Sequence, residues 1–269
     1  MNNQSTPGTE DRLVSVIVPA YKADKYLKEC LDSLLNQTYP FLEVVVVYEG
    51  HDLATKHVLN GYVNNEKFKL ISEEKNLGAA HTRNLAIKHS TGDYIAFCDA
   101  DDIFSPEKIE EQMKIVDPKF GLTYTDFSLI DEGGNLVDNI KSPEWNFDKW
   151  IKSWYICFST VMVKRSVLES AGLMDESLSS NEDFDLLIRL SKQTNFRRTP
   201  KRLVYRRIHS SNLSRSKKTI ISRYHIYRKY NYNFLALYSV LHGFFYSGIF
   251  YFIVERPLLY NTAKKILRK

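Results

Sequence analysis

Short runs of apolar, largely β-branched residues alternate with helical periodicity through the first hundred residues. Val14–Val18 is the first run, closed by Pro19. Leu27, Cys30, Leu31 and Leu34 follow at the spacing of one helix face, which predicts a strand and then a half-buried helix. Glu43–Tyr48, Phe68–Ser72 and Tyr94–Cys98 predict three more strands. A more polar helical stretch starts near Asp52, and Ala79–His89 reads as a helix with Leu85 and Ala86 inward. Ser105-Pro106-Glu107 marks a further helix start, with Ser as cap and Pro at the first helical position. The strand runs are continuous rather than alternating, as in strands covered on both faces. Strands alternating with helices imply βαβ units and a largely parallel sheet, whose ligands sit beyond the carboxyl ends of the strands. Pro19-Ala20-Tyr21, Tyr48-Glu49-Gly50 and Asp99–Asp102 all fall at such ends, so a nucleotide site is expected there.

The pattern changes in the middle. Gly121–Tyr124 and Phe127–Ile130 flank Asp126, and Asp131-Glu132-Gly133-Gly134-Asn135 is a hairpin turn signal. Phe158–Val163 predicts a strand, Asp183–Lys192 a helix with Leu186, Leu187 and Leu190 inward, and Val204–Ile208 a last short strand. Phe234–Val254 carries no formal charge, but tyrosines, serines, glycines and His242 interrupt it. That mixture favours interfacial or core helices over a membrane span. The predicted organisation is a polar tail over 1–12, an α/β domain over 13–215 and a basic, aromatic helical segment over 216–269.

Composition adds a charge asymmetry. The 269 residues carry a net charge of only +5, yet no acid stands between Asp185 and Glu255. A basic half beside an acidic half points to an anionic partner such as a diphosphate or a membrane surface. No recognised nucleic-acid-binding motif accompanies the basic residues, so nucleic acid is not expected. Cys30, Cys98 and Cys157 have no paired spacing and read as buried thiols. The polar, acid-bearing start does not read as a secretory signal.

Asp99-Ala100-Asp101-Asp102 is the sharpest local signal. Mg²⁺ and Mn²⁺ take one or two carboxylates plus substrate phosphates, although an acidic turn capping the next helix explains the tetrapeptide equally well. Asn181-Glu182-Asp183-Phe184-Asp185 opens a helix, where the dipole favours acids. One of them could serve as a general base. His209 could ligate metal or be merely solvated, and Arg83-Asn84 could reach a phosphate or lie on a solvated helix face.

Taken in order, the motifs are more specific than any of them alone. Val14-Ser15-Val16-Ile17-Val18-Pro19-Ala20-Tyr21, Ser33–Pro40 and Glu43–Val47 open the series. Asn76-Leu77-Gly78 with Arg83-Asn84, Thr91-Gly92-Asp93-Tyr94-Ile95 and Asp99-Ala100-Asp101-Asp102 continue it. Glu182–Leu190 and Tyr205-Arg206-Arg207-Ile208-His209 close it. Over roughly residues 13–215 this order resembles glycosyltransferase family 2.

The resemblance implies a GT-A fold, an α/β/α sandwich with a Rossmann-like nucleotide half. It implies that Pro19, Tyr21, Glu49, Asn76, Arg83, Asp99 and Ala100 contact the nucleotide or donor. Asp101, with His209, would hold Mn²⁺ or Mg²⁺ on the diphosphate. Asp183 would be the catalytic base and Glu182 would hold the acceptor or donor sugar. The implied reaction transfers a sugar from a nucleotide-sugar, expected to be a UDP-sugar, with inversion. The basic segment and aromatic tail suggest a polyprenyl-diphosphate-linked saccharide acceptor for surface polysaccharide and peripheral docking on the inner face of a bacterial plasma membrane. The family's Val-Asp-Asp-Gly-Ser is here Val47-Tyr48-Glu49-Gly50-His51, and the Gln-x-x-Arg-Trp of processive members is missing, which favours one sugar per event. A nucleotidyltransferase and a non-catalytic nucleotide- or sugar-binding scaffold remain the alternatives.

Overall fold

The predicted alternation becomes a nine-stranded sheet in the computed structural model, which describes residues 12–209 and 217–237. The first half runs β1 (Val14–Ala20), α1 (Asp24–Leu35), β2 (Leu42–Glu49), α2 (Leu53–Asn60), β3 (Phe68–Glu73), α3 (Ala79–His89) and β4 (Tyr94–Phe97). There follow β5 (Ile103–Phe104), α4 (Lys108–Met113), β6 (Phe120–Ile130), β7 (Leu136–Ile140) and α5 (Phe147–Ser153). Then come β8 (Met162–Lys164), α6 (Arg165–Ala171), α7 (Glu182–Ser191), β9 (Asn195–Arg207) and α8 (Lys217–Lys229). The strand order is β3-β2-β1-β4-β8-β6-β9-β5, with β7 beside β6. The first four strands are parallel, and the continuous apolar runs of β1, β2 and β4 are buried on both faces, whereas β3 at the sheet edge is half-exposed. Beyond β4 the sheet is mixed: β8 is antiparallel to both β4 and β6, and only β6 and β9 pair in parallel.

Side-chain alternation divides the strands between two layers. Val14, Val16 and Val18 of β1, Val44 and Val46 of β2 and Ala96 of β4 share one core with Leu27, Cys30, Leu31 and Leu34 of α1. Ile17, Val45, Val47 and Ile95 face the other way, the side on which α3 lies against β1 and β2. Several of the sequence motifs serve this frame. Gly92 brings its backbone so close to β1 that a Cβ there would stand 2.7 Å from the Ser15 nitrogen. The Asp93 carboxylate accepts the Leu13 N–H at 3.2 Å. Gln37 ties the end of α1 to α4, donating to the Ser105 carbonyl at 2.8 Å and accepting the Ile109 N–H at 3.1 Å.

The structure corrects several sequence expectations. Helix α4 starts at Lys108 with Glu107 at its cap, so Ser105 and Pro106 form the turn before it. The Phe158–Val163 run splits into a 3₁₀ turn over Phe158–Thr160 and the short β8. The Val204–Ile208 run is the end of the much longer β9, which begins in a polar stretch that carries no strand signal. The two runs flanking Asp126 are one strand, β6, with register shifts on either side of Asp126. There the Asp126 carboxylate takes a two-pronged ion pair from Arg198, at 2.8 and 2.7 Å. Cys30 and Cys98 are buried and Cys157 partly so, and all three are free thiols.

Residues 12–178 and 182–209 form one compact unit, and 179–181 with 217–237 a second. In the second, the Asn181 side chain donates to the Thr219 carbonyl at 2.8 Å. No helix among the described residues is long and apolar enough to cross a membrane, and most of the Phe234–Val254 segment lies outside those residues.

One core position is at odds with its surroundings. Lys108 is fully buried, and its Nζ has no hydrogen-bond partner among the described residues but lies 4.0 Å from the Phe104 ring centroid. Burial pushes its ammonium pKa down to about 7. Between that value and the ordinary lysine range the unfolded chain binds one more proton than the folded chain, so stability rises with pH across that window. Lys108→Met is therefore expected to be more stable than the parent at pH 7, on the order of 3 kcal/mol, with the difference shrinking toward pH 10. Urea unfolding at three pH values checks this, and a constant difference would show that the amine is not the cause.

Candidate active site

β1 has β2 and β3 on one side and β4 on the other, so the strand order reverses between β1 and β4. The crevice beyond the carboxyl ends at such a reversal is where a doubly wound sheet binds its ligand. Tyr21, 46% exposed, follows β1 there, just after the half-buried Pro19. Glu49 ends β2 and is buried, and its carboxylate accepts the Leu77 N–H at 3.0 Å. That bond fixes the Asn76-Leu77-Gly78 loop, in which Gly78 adopts φ +95°, a conformation open to glycine, and donates its N–H to the Asn76 side chain at 3.1 Å. A side-chain hydrogen bond from Asn76, aided by Lys22, lowers the pKa of the Tyr21 phenol. Pro19, Tyr21, Glu49 and Asn76 thus form one rim.

The acids after β4 form the opposite wall. Asp99, Asp101 and Asp102 each bring a carboxylate oxygen to within 4.8 Å of the others, with Ala100 between the first two. Asp102 is buried and committed to the scaffold: one oxygen accepts the Arg207 N–H at 3.0 Å and the other the Ser159 hydroxyl. It caps no helix. Asp101 Oδ2 lies 2.7 Å from His209 Nε2, so the end of β9 delivers the histidine to the cluster. Burial and the charge of Asp99 raise the Asp101 pKa, against the His209 contact.

Arg83 joins this wall to a second acidic group. It lies on α3, only 7% exposed, and donates at 2.6 Å to Asp99 and at 2.6 Å to Glu182. The solvated-face alternative for Arg83-Asn84 is thereby overturned: Arg83, Asn84, Ala86 and Ile87 form the inner face, with Leu85 only half-buried. Burial opposes the Arg83 cation, but Asp99, Glu182 and Asp183 outweigh it and keep the pKa above its ordinary value. Asp183, next along α7, has one oxygen held by the Phe184 N–H at 2.8 Å. Burial and the Glu182 charge push its pKa up to about 6, against Arg83.

Helix α7 is itself anchored. The buried Asp185 accepts Arg189 Nε at 2.9 Å, and the same guanidinium donates to the carbonyls of Ala171, Gly172 and Leu173. Phe184 stacks on Trp154 with centroids 3.6 Å apart. Two members of the site were given no role of their own by the sequence, although Arg206 stands within the Tyr205–His209 motif. Ser159 buffers Asp102 from a 3₁₀ turn that looked like strand. Arg206 is half-buried, and Cys157, then Asp102, Asp99 and Asp101, raise its pKa against burial. Alternation along β9, with Arg207 buried, was its one available hint.

The donor set fits a hard divalent cation. Asp101 and Asp99, the latter with one oxygen already engaged by Arg83, stand with an imidazole, and packed acids repel one another unless a cation joins them.

The sequence profile of the family described as Glycosyl transferase family 2 matches residues 15–170. A chondroitin synthase of Escherichia coli is 32% identical over 79% of this chain, which spans 31% of that protein. The chain spans 28% and 64% of the lengths of two further curated relatives. Staphylococcus aureus TarS in complex with UDP superposes with a TM-score of 0.65 at 23% identity, over 85% of this chain and 65% of that one. The mannosyltransferase PcManGT of Pyrobaculum calidifontis, in complex with GDP-Man and Mn²⁺, gives 0.65 at 18% identity, over 91% and 72%. At these identities the structural likeness is one of fold, the GT-A α/β arrangement.

Removing the Arg83 cation strands the buried Glu182 carboxylate, whereas Asp99 is half-exposed and keeps solvent. Arg83→Leu is expected to cost about 3–5 kcal/mol in chemical denaturation, with Arg83→Lys between it and the parent. Equal stability of all three would show that the bridge carries no load.

Proposed function

The chain belongs to glycosyltransferase family 2, and on that footing we propose that it is an inverting, non-processive transferase that moves one sugar from a UDP-sugar to a hydroxyl of a saccharide acceptor in cell-surface polysaccharide synthesis. The observation that carries this reading is the Arg83 bridge, which holds the nucleotide-side Asp99 and the helix bearing Asp183 at a set separation. A base and a leaving group on opposite sides of one anomeric carbon need that constraint.

In the proposed reaction the acceptor hydroxyl attacks the anomeric carbon as the bond to the diphosphate oxygen breaks. Asp183 takes the hydroxyl proton, and its raised pKa suits it to do so near neutral pH. Glu182 orients the acceptor or donor sugar, and Pro19, Tyr21, Glu49, Asn76 and Ala100 cradle the nucleotide. Asp101 and His209, with Asp99, would hold Mn²⁺ or Mg²⁺, which when bound neutralises charge on the diphosphate. Glu49 supports an intact pocket despite its departure from the family's acid, because it holds the Asn76 loop. The UDP and Mn²⁺ complexes of the structural neighbours favour this donor class and metal, and the chondroitin synthase favours a polysaccharide product.

We further propose that the acceptor is lipid-linked and that the second unit docks the protein on the inner face of the plasma membrane. Ile221, Phe234 and Leu237 are exposed there, on a segment without acids. Basic residues beside exposed apolar ones suit an anionic bilayer.

Two measurements test these readings. UDP should raise the melting midpoint of both the parent and Asp183→Asn in a Mn²⁺-dependent way, while Asp183→Asn turns over about 10²–10⁴-fold more slowly. The parent rate should rise with pH through about 6, as the carboxylate becomes the base form. Unchanged turnover in Asp183→Asn removes the base, and a UDP shift indifferent to Mn²⁺ removes the metal. Replacing Ile221, Phe234 and Leu237 together by Ser should abolish sedimentation with phosphatidylglycerol vesicles, and undiminished sedimentation would refute docking.

A further inference from the structure

The face formed by β6, β7 and β9 carries a recess separate from the carboxylate cluster. It is a groove of about 610 Å³ with Ser128 in its floor, Leu136 and Asn139 of β7 on one side, and Lys201, Arg202 and Tyr205 of β9 on the other. Strand register explains the grouping. Ser128 is opposite Asn139 on β7 and opposite Tyr205 on β9, so the three stand in one row across the sheet.

The chemistry of the row is that of a sugar site with a preference for negative charge. Tyr205 is 38% exposed and Leu136 60% exposed, which offers ring and methyl surface to the apolar face of a pyranose. The Ser128 hydroxyl donates to the Asn139 amide oxygen at 2.8 Å, which fixes the amide and leaves its NH₂ as a donor. Two cations line the groove and no Asp or Glu does. Lys201 is paired with Glu111, but Arg202 has no carboxylate partner among the described residues. A free guanidinium fork matches a planar carboxylate with two parallel hydrogen bonds.

We propose that this groove binds a uronate-bearing segment of the acceptor glycan, away from the sugar being extended. The inference rests on the proposed function for the identity of the glycan as acceptor. Position supports the link: Tyr205 pairs with Ile103, two residues beyond Asp101. Tyr205 also precedes His209 by four residues, roughly 13 Å of extended chain. The groove thus lies along the strand whose end delivers His209 to the carboxylate cluster.

The test is calorimetric titration of the full chain with hexagalacturonate, with maltohexaose as the neutral control and inorganic phosphate as the anion control. Hexagalacturonate should bind, maltohexaose and phosphate at least tenfold more weakly, and Tyr205→Ala and Arg202→Ala should each weaken hexagalacturonate at least tenfold. Both positions are exposed, and an unchanged UDP titration shows that each variant is folded. No hexagalacturonate binding, equal binding of maltohexaose or phosphate, or binding untouched by both substitutions would each overturn the proposal. Failure of UDP to bind the parent sinks the proposed function instead, and leaves the glycan titration as an independent result.

Discussion

The Arg83 guanidinium, buried between Asp99 and Glu182, is the constraint on which the site depends. A buried cation must be paired or it is too costly to keep, and the buried Glu182 has the same requirement, while Asp99 keeps part of its side chain in solvent. The three charges therefore determine one another's positions. α3 supplies the cation, the loop after β4 one acid and the first turn of α7 the other. Three elements distant in sequence are pinned at one point, and that point lies between the proposed nucleotide and acceptor sides. Raised pKa values at Asp101 and Asp183, both due first to burial and then to a neighbouring acid, follow from packing so many carboxylates around it.

Acids in this site divide into those that hold the frame and those left for chemistry. Asp102 and Asp185 look like members of functional clusters, yet each spends its oxygens on the protein. Asp102 joins β9 to the loop after β4, and Asp185 works through Arg189 to hold α7 against the end of α6. The neighbours they immobilise, Asp101 and Asp183, keep free valence. Rigid support directly beside a reactive group is what positions it to within the tolerance that catalysis requires. Glu49 combines the two roles, because one oxygen of its buried carboxylate holds the Asn76 loop at the rim of the pocket it is proposed to line.

Much of this was legible in the sequence. Continuous apolar runs pointed to β1, β2 and β4 and to their parallel pairing, because such runs suit strands covered on both faces. The order of motifs pointed to the family and to the acids after β4 and at the head of α7. Less legible were β8, split from an apolar run by a 3₁₀ turn, and the polar first half of β9. Strands that pair with a neighbour on only part of their length carry a weak periodic signal, so tertiary pairing decided them.

What the sequence determined by itself was local: hydrophobic period, turn chemistry, the presence of acids at strand ends and at a helix start. The tertiary structure alone decided which of those acids meet. His209 reaches Asp101 across 108 positions and Arg83 reaches Glu182 across 99, and no local propensity encodes such contacts. It also decided that Arg83 is a buried bridge rather than a solvated residue, since the polarity of a side chain says nothing about whether a partner waits for it inside. The groove by Tyr205 has the same origin, as its row of residues exists only because β6 lies between β7 and β9.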